Sequence, residues 1–264
     1  MRNSILVFAV FMFVVSCSTV PITGRKRLNY VSDADVLPTS FAQYKTFLSE
    51  NTLSKDKQKT AEIQEIGERI SKAVTKVMKN NNMSKEAETY EWEFNLVQDS
   101  TMNAWCMPGG KVVFYTGILP IAKNTDGIAA IMGHEIAHAF AKHGQERMSS
   151  AQLQQMGAVA VAAGSSQEST EEQLIWNMAY GVGSQLGMLK FSRQHETEAD
   201  RLGMVFMIIA GYNPEEAVNV WKRMKQVGSS ATPEFMSTHP SNDSRIKDLQ
   251  SFIPEAKKLA EKYK

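Results

Sequence analysis

The chain has 264 residues, 29 Lys and Arg against 28 Asp and Glu for a formal net charge of +1, and 43% hydrophobic residues. That length and apolar share suit one globular domain able to bury its own core, and the neutral balance excludes a nucleic-acid partner held by a basic face. Two cysteines, Cys17 and Cys106, are too few for a disulfide framework.

The first 16 residues read as a signal peptide rather than as fold. Met1-Arg2-Asn3-Ser4 is a short positive start, and Ile5 to Val15 is an apolar run of signal-peptide length, short for a membrane span. The run ends in Val14-Val15-Ser16-Cys17, which resembles a bacterial lipobox, where the cysteine is acylated and becomes the mature N-terminus. A plain secretory signal and an uncleaved anchor are the alternatives. Small Ser16 directly before Cys17 favours lipidation, which would hold the chain on a membrane. Ser18 rather than Asp follows the cysteine. In a source with two membranes this implies an outer-membrane lipoprotein facing the periplasm. Residues 17–40, with Pro21, Gly24 and Pro38, read as the lipidated N-terminus and a tether, and 41–264 as the folded domain. Arg25-Lys26-Arg27 is too small a cluster to separate headgroup contact from plain solvation.

The pattern predicts helices over Phe41 to Leu48 and Lys57 to Met78. In the second, Ile63, Ile66, Ile70, Val74 and Val77 recur at helical spacing. Tyr90 to Val97 alternates as a strand, and Lys111 to Tyr115 reads as a second, closed by Thr116-Gly117. Pro108-Gly109-Gly110 marks a turn between them.

Gly127 to His143 then reads as helix almost without interruption, with Asn124, Thr125 and Asp126 as candidate caps. It carries His134-Glu135-Ile136-Ala137-His138. Two histidines four apart share a helix face about 6 Å apart along the axis, so both can reach one Zn²⁺. Glu135 is placed to act on water at that metal without being a ligand. The flanks Ile128, Ile131, Met132, Ile136 and Phe140 are apolar, which argues against a solvated coincidence.

Ser149 to Ala163 reads as a small-sided surface or substrate-flanking helix. Residues 164–170 read as a mobile lid or partner contact, and Glu171 to Phe191 as a helix whose Gly181, Gly183 and Gly187 permit close approach. Asn213-Pro214-Glu215-Glu216 starts a helix reaching about Gln226. From Asp243 two short helices joined at Pro254 are expected. No internal repeat is visible. The fold class is α+β, mainly helical with one small antiparallel sheet.

A zinc site needs a third protein ligand. His143 lies about 140° around an unbroken helix from His138 and reads as structural or solvated. Ser192 to Asp200 starts another helix, on which Glu196 and Asp200 share a face. Glu196 would complete the ligands, and Asp200 could accept the other ring N–H of a liganding histidine. Glu198, about 200° away, and His195, about 100° off that face, stay open as weaker candidates.

His134-Glu-Ile-Ala-His138 followed by Ser192-Arg193…Glu196-Thr-Glu-Ala-Asp200 resembles the M48 family of metallopeptidases. Asn103-Ala104…Pro108-Gly109-Gly110, Thr116-Gly117, Thr238-His239-Pro240 and Arg245 match further motifs of that family, over about residues 90–250. With the lipobox, the likeness is to its bacterial lipoprotein branch. The resemblance implies a zincin-like peptidase domain, Glu196 as third ligand and Asp200 as its supporting acid. It also implies that Asn103–Tyr115 forms an edge strand beside the cleft, which binds unfolded or extended polypeptide by strand addition, through Asn103, Ala104, Pro108, Gly109 and Gly110. The expected chemistry is peptide hydrolysis with Glu135 as general base. His239 would stabilise the oxyanion or occupy the metal in a resting state, and Arg245 would position that loop or neutralise an acid. Cys106 reads as a packed thiol. An envelope chaperone or assembly factor with proteolysis in reserve is the competing function.

Overall fold

The computed structural model describes residues 17–161, 193–227, 234–239 and 243–263. The signal peptide expected over 1–16, the segment 164–170 and the helix expected over Glu171 to Phe191 lie outside the described residues.

The N-terminal part is folded, where a tether is expected. Strands β1 (Cys17–Thr19) and β2 (Lys26–Leu28) form an antiparallel hairpin. Helix α1 (Asp33–Glu50) begins well before Phe41 and runs through Pro38. Its first turn is set by the Ser32 N–H donating to Asp35 Oδ2 at 3.0 Å. Pro38 removes one helical hydrogen bond, but Val36, Ser40, Tyr44 and Phe47 bury one face of the helix and hold it together. Val20, Arg27 and Val31 are buried as well, so the packed domain reaches back to the hairpin.

Helix α2 (Lys57–Asn80) is capped by Asp56, which accepts the Lys59 N–H at 2.9 Å. Ile63, Ile66, Ile70, Val74 and Val77 are all buried, as their spacing predicts. Short helix α3 (Ser84–Ala87) leads into strands β3 (Glu93–Val97), β4 (Ala104–Met107) and β5 (Lys111–Tyr115).

The small sheet is present, but it is mixed. Its order is β3-β5-β4, with β3 parallel to β5 and β4 antiparallel to it. The edge strand expected over Asn103–Tyr115 is two strands joined by the turn, of which β4 lies at an edge of the sheet and β5 in its centre. The turn between them places Gly109 and Gly110 at φ of +83° and +86°, a region that favours glycine. A Cβ there would strike the rings of Phe41 and Trp92.

Helix α4 (Leu119–Ala122) precedes α5 (Thr125–Phe140), where Asn124 is the cap that accepts the Gly127 N–H at 2.8 Å. Every residue of α5 from Gly127 to Phe140 is buried, consistent with a helix that is apolar nearly all round. The helix does not continue to His143. Lys142 sits at φ +55°, and a new helix, α6 (His143–Val161), starts there in another direction. Helices α7 (Arg193–Ile209), α8 (Glu215–Val227), α9 (Glu234–Thr238) and α10 (Asp243–Glu261) complete the domain. The last is one helix through Pro254, not two, with Ile246, Leu249, Phe252, Ala256 and Ala260 buried along one side. Among the described residues, no helix is long and apolar enough to cross a membrane.

Candidate metal centre

Helix α5 carries His134 and His138 on one face, and the first turn of α7 brings Glu196 opposite them. His239, just after α9, closes the group from a third side. The four side chains are buried and can together hold a metal ion. His134 Nε2 lies 3.1 Å from His138 Nε2 and 3.2 Å from His239 Nδ1. Glu196 Oε1 is 3.0 Å from His239 Nδ1 and 3.4 Å from His138 Nε2, and Glu196 Oε2 is 3.6 Å from His134 Nε2. Donors on a tetrahedral zinc stand about 3.3 Å apart, from bonds of about 2.0–2.1 Å.

The chemistry of the donors fits a cation as well as their spacing does. Asp200 Oδ1 lies 3.0 Å from His134 Nδ1 and accepts that ring's N–H, which leaves Nε2 as a bare lone pair. This lone pair then points at two further imidazole nitrogens and a carboxylate in a water-poor setting. A positive ion is what such a cluster of acceptors requires.

Glu135 stands beside this group, and its Oε1 has no hydrogen-bond partner among the described residues. The oxygen is 3.7 Å from His239 Nε2. Burial raises the Glu135 pKa, with His239 and His134 pulling it back. Burial would raise Glu196 too, but His239 and Arg245 alongside hold it well below the usual carboxylate range. Burial drives His138 down, helped by the neighbouring histidines.

Arg245, from the start of α10, donates to both Asp200 oxygens at 2.7 Å and lies 2.9 Å from Glu196 Oε2. Its guanidinium is 3.3 Å from the centre of the Trp221 ring. Its positive charge thus faces Glu196 and Asp200, with Nη2 also 3.4 Å from the His134 ring nitrogens.

The weaker ligand candidates are elsewhere. Glu198 faces His143 Nε2 at 2.9 Å, and His195 Nε2 faces Glu146 at 3.1 Å. Of the residues expected to bind substrate, Asn103 and Ala104 lie at the start of the edge strand. Asn103 Nδ2 donates to Glu234 Oε1 at 3.1 Å, joining the strand to α9. Pro108, Gly109 and Gly110 form the buried far turn beneath Phe41 and Trp92, with the Pro108 carbonyl accepting from Ser40. The Gly109 and Gly110 carbonyls accept the Glu91 and Glu93 N–H groups at 2.8 and 3.0 Å. Cys106 lies between them, and burial, with Glu135 nearby, pushes its thiol well up.

Sequence reading has His143 as structural or solvated, and it is buried, but misses its contact with His138 because an unbroken helix would point it elsewhere. Lys142 turns the chain without the Gly or Pro that would have signalled the bend. It also missed Arg25, which grips Glu146 and Glu198 rather than solvent.

The model of the family described as peptidase family M48 matches residues 57–253. The chain belongs to peptidase family M48. It is 32% identical over 248 residues to the mitochondrial metalloendopeptidase OMA1 of Schizosaccharomyces pombe, covering 90% of this chain and 66% of that protein. The human mitochondrial metalloendopeptidase OMA1 is 26% identical over 274 residues, 97% of this chain and 49% of that one. The beta-barrel assembly-enhancing protease of Escherichia coli is 29% identical over 168 residues, 61% of this chain and 34% of that protein. The chain thus spans only part of the length of these M48 relatives. They are mitochondrial and bacterial, so the comparison gives the family and not the lipoprotein branch.

Proposed function

We propose that this chain is a zinc-dependent metalloendopeptidase, with the metal held by His134, His138 and Glu196. The observation that carries this reading is the convergence of those donors beside a buried Glu135 with an unpartnered oxygen. Zinc bound there would polarise the scissile carbonyl and acidify water at neutral pH. Glu135 takes the proton from the attacking water and passes it to the leaving amine. Asp200 holds His134 through its ring N–H, and Arg245 neutralises Glu196 and Asp200. His239, beside His134 and Glu196, would complete the donor set at rest and withdraw to admit substrate. Once displaced it stays close enough to Glu135 to donate to the developing oxyanion.

Substrate is an extended segment added along β4, with its main chain beside Asn103 to Cys106. Unfolded or misassembled polypeptides of the cell envelope suit such a site, because backbone pairing is tolerant of sequence. The chain is held at a membrane by lipid on Cys17, after removal of residues 1–16, and faces the periplasm where the source has two membranes. A second reading, an assembly factor with proteolysis in reserve, draws support from His239 closing the donor set. It would be favoured if a Glu135→Gln variant restored envelope assembly in cells.

Incubation of the full chain with an unfolded polypeptide should give internal cleavage that stops on chelation and returns with Zn²⁺. Cleavage that persists without metal would reject the peptidase mechanism.

A further inference from the structure

The two α5 histidines of the site are each backed on the side away from the donor cluster. His134 leans on Asp200, which Arg245 holds. His138 has a different support. Its Nδ1 lies 2.9 Å from His143 Nδ1, and His143 Nε2 lies 2.9 Å from Glu198 Oε2. Glu198 is in turn gripped from the N-terminal hairpin. It accepts from the Thr23 hydroxyl and from Arg25 Nε, the latter at 2.5 Å. Arg25 also donates to both Glu146 oxygens, at 2.9 and 2.8 Å, which ties α6 to α7. His143 is fully buried and Glu198 is 4% exposed.

Hydrogen-bond accounting fixes the protons along this line. Two Nδ1 atoms at 2.9 Å bond only if one carries hydrogen and the other does not. The carboxylate of Glu198 accepts, so the His143 proton sits on Nε2 and its Nδ1 is the acceptor. His138 must then carry its proton on Nδ1, which leaves its Nε2 lone pair turned to the donor cluster. That tautomer is the one a metal ligand needs, and partners of this kind fix both ring orientation and basicity.

We propose that His143, oriented by Glu198, is a positioning residue for His138, and that Thr23 and Arg25 of the N-terminal hairpin complete this support of the metal site. The hairpin beginning at Cys17 is thereby part of the structure that sets metal affinity, not a passive leader. The inference rests on the zinc reading above.

Zn²⁺ affinity of the full chain, measured by chelator competition, tests it. His143→Ala should weaken binding about 10–100-fold. His143→Asn should recover part of that loss, because its Oδ1 can accept the His138 proton. Arg25→Ala should shift affinity the same way by less, and Arg69→Ala, which loses an unrelated contact to the Ala210 carbonyl, should leave it unchanged. Nitrogen-15 histidine spectra of the zinc-loaded wild type should show His143 protonated on Nε2 alone, a readout independent of how the variants fold. An unchanged Kd in folded His143→Ala, or a proton on His143 Nδ1, overturns the proposal. Wild-type protein that binds no Zn²⁺ overturns the metal reading and this inference with it, whereas zinc-binding wild type with unmoved variants overturns the inference alone.

Discussion

Gly133 and Gly203 meet backbone to backbone where α5 crosses α7. A Cβ on Gly203 would lie 2.8 Å from the Gly133 carbonyl carbon and 2.8 Å from the His134 nitrogen, and one on Gly133 would lie 2.9 Å from the Gly203 carbonyl oxygen. The pair lets the two helices approach closely one residue before the first metal-facing histidine and two turns after Glu196. In an exposed helix, Gly→Ala is favourable by about 0.8–1.0 kcal/mol. Here the added methyl meets rigid backbone on both sides, and such overpacking costs about 1–3 kcal/mol. Gly203→Ala should therefore lower the thermal midpoint and weaken Zn²⁺ binding together, since Glu196 moves with α7. A stabilised variant would show that the crossing has slack.

Glu196 is the donor that α7 contributes to the group. Glu196→Ala should abolish stoichiometric zinc as read by metal analysis, with the far-ultraviolet circular dichroism retained. It also removes the carboxylate nearest His239 and one of the two that face Arg245, which keeps Asp200, so a loss of stability accompanies it. Unaltered metal content would remove Glu196 from the ligand set.

His239 tests the closed arrangement of the four donors. His239→Ala should lower kcat for unfolded-polypeptide cleavage about 10²–10³-fold through loss of the oxyanion donor, and lower KM because no side chain then has to withdraw to admit substrate. Steady-state kinetics separate the two roles. A raised kcat would instead leave His239 as a group that only closes the donor set at rest, with no part in stabilising the oxyanion.

Much of this site was legible because its chemistry lies on helical spacing. His134 and His138 are four apart, as are Glu196 and Asp200, and a regular helix delivers each pair to one face. The placement of Asp200 against the His134 ring follows from the same geometry. What stayed hidden depends on backbone that departs from local preference. Lys142 adopts a left-handed conformation in a run that reads as helix, and so re-aims His143. Pro38 and Pro254 look like helix ends, but burial of Val36, Tyr44, Phe252 and Ala256 carries both helices through them. Strand β4 was unreadable because Ala104-Trp-Cys-Met107 does not alternate and gains its strand character from pairing with β5. The close contact of Gly133 and Gly203 links residues far apart in sequence, and no local pattern announces it.

Cys17 opens the hairpin whose Arg25 reaches Glu198. Cys17→Ala should release the protein from the membrane fraction, because no acyl chain remains to anchor it. Membrane fractionation identical to wild type would refute anchoring through that residue.

Glu135→Gln puts the central claim to the most direct measurement. The substitution preserves shape and leaves His134, His138 and Glu196 in place, but it removes the group that accepts the proton. Metal content and peptide hydrolysis measured on the same preparation should give one zinc per chain, as in the wild type, and no turnover of unfolded polypeptide above background. Retained turnover with zinc bound would contradict the account.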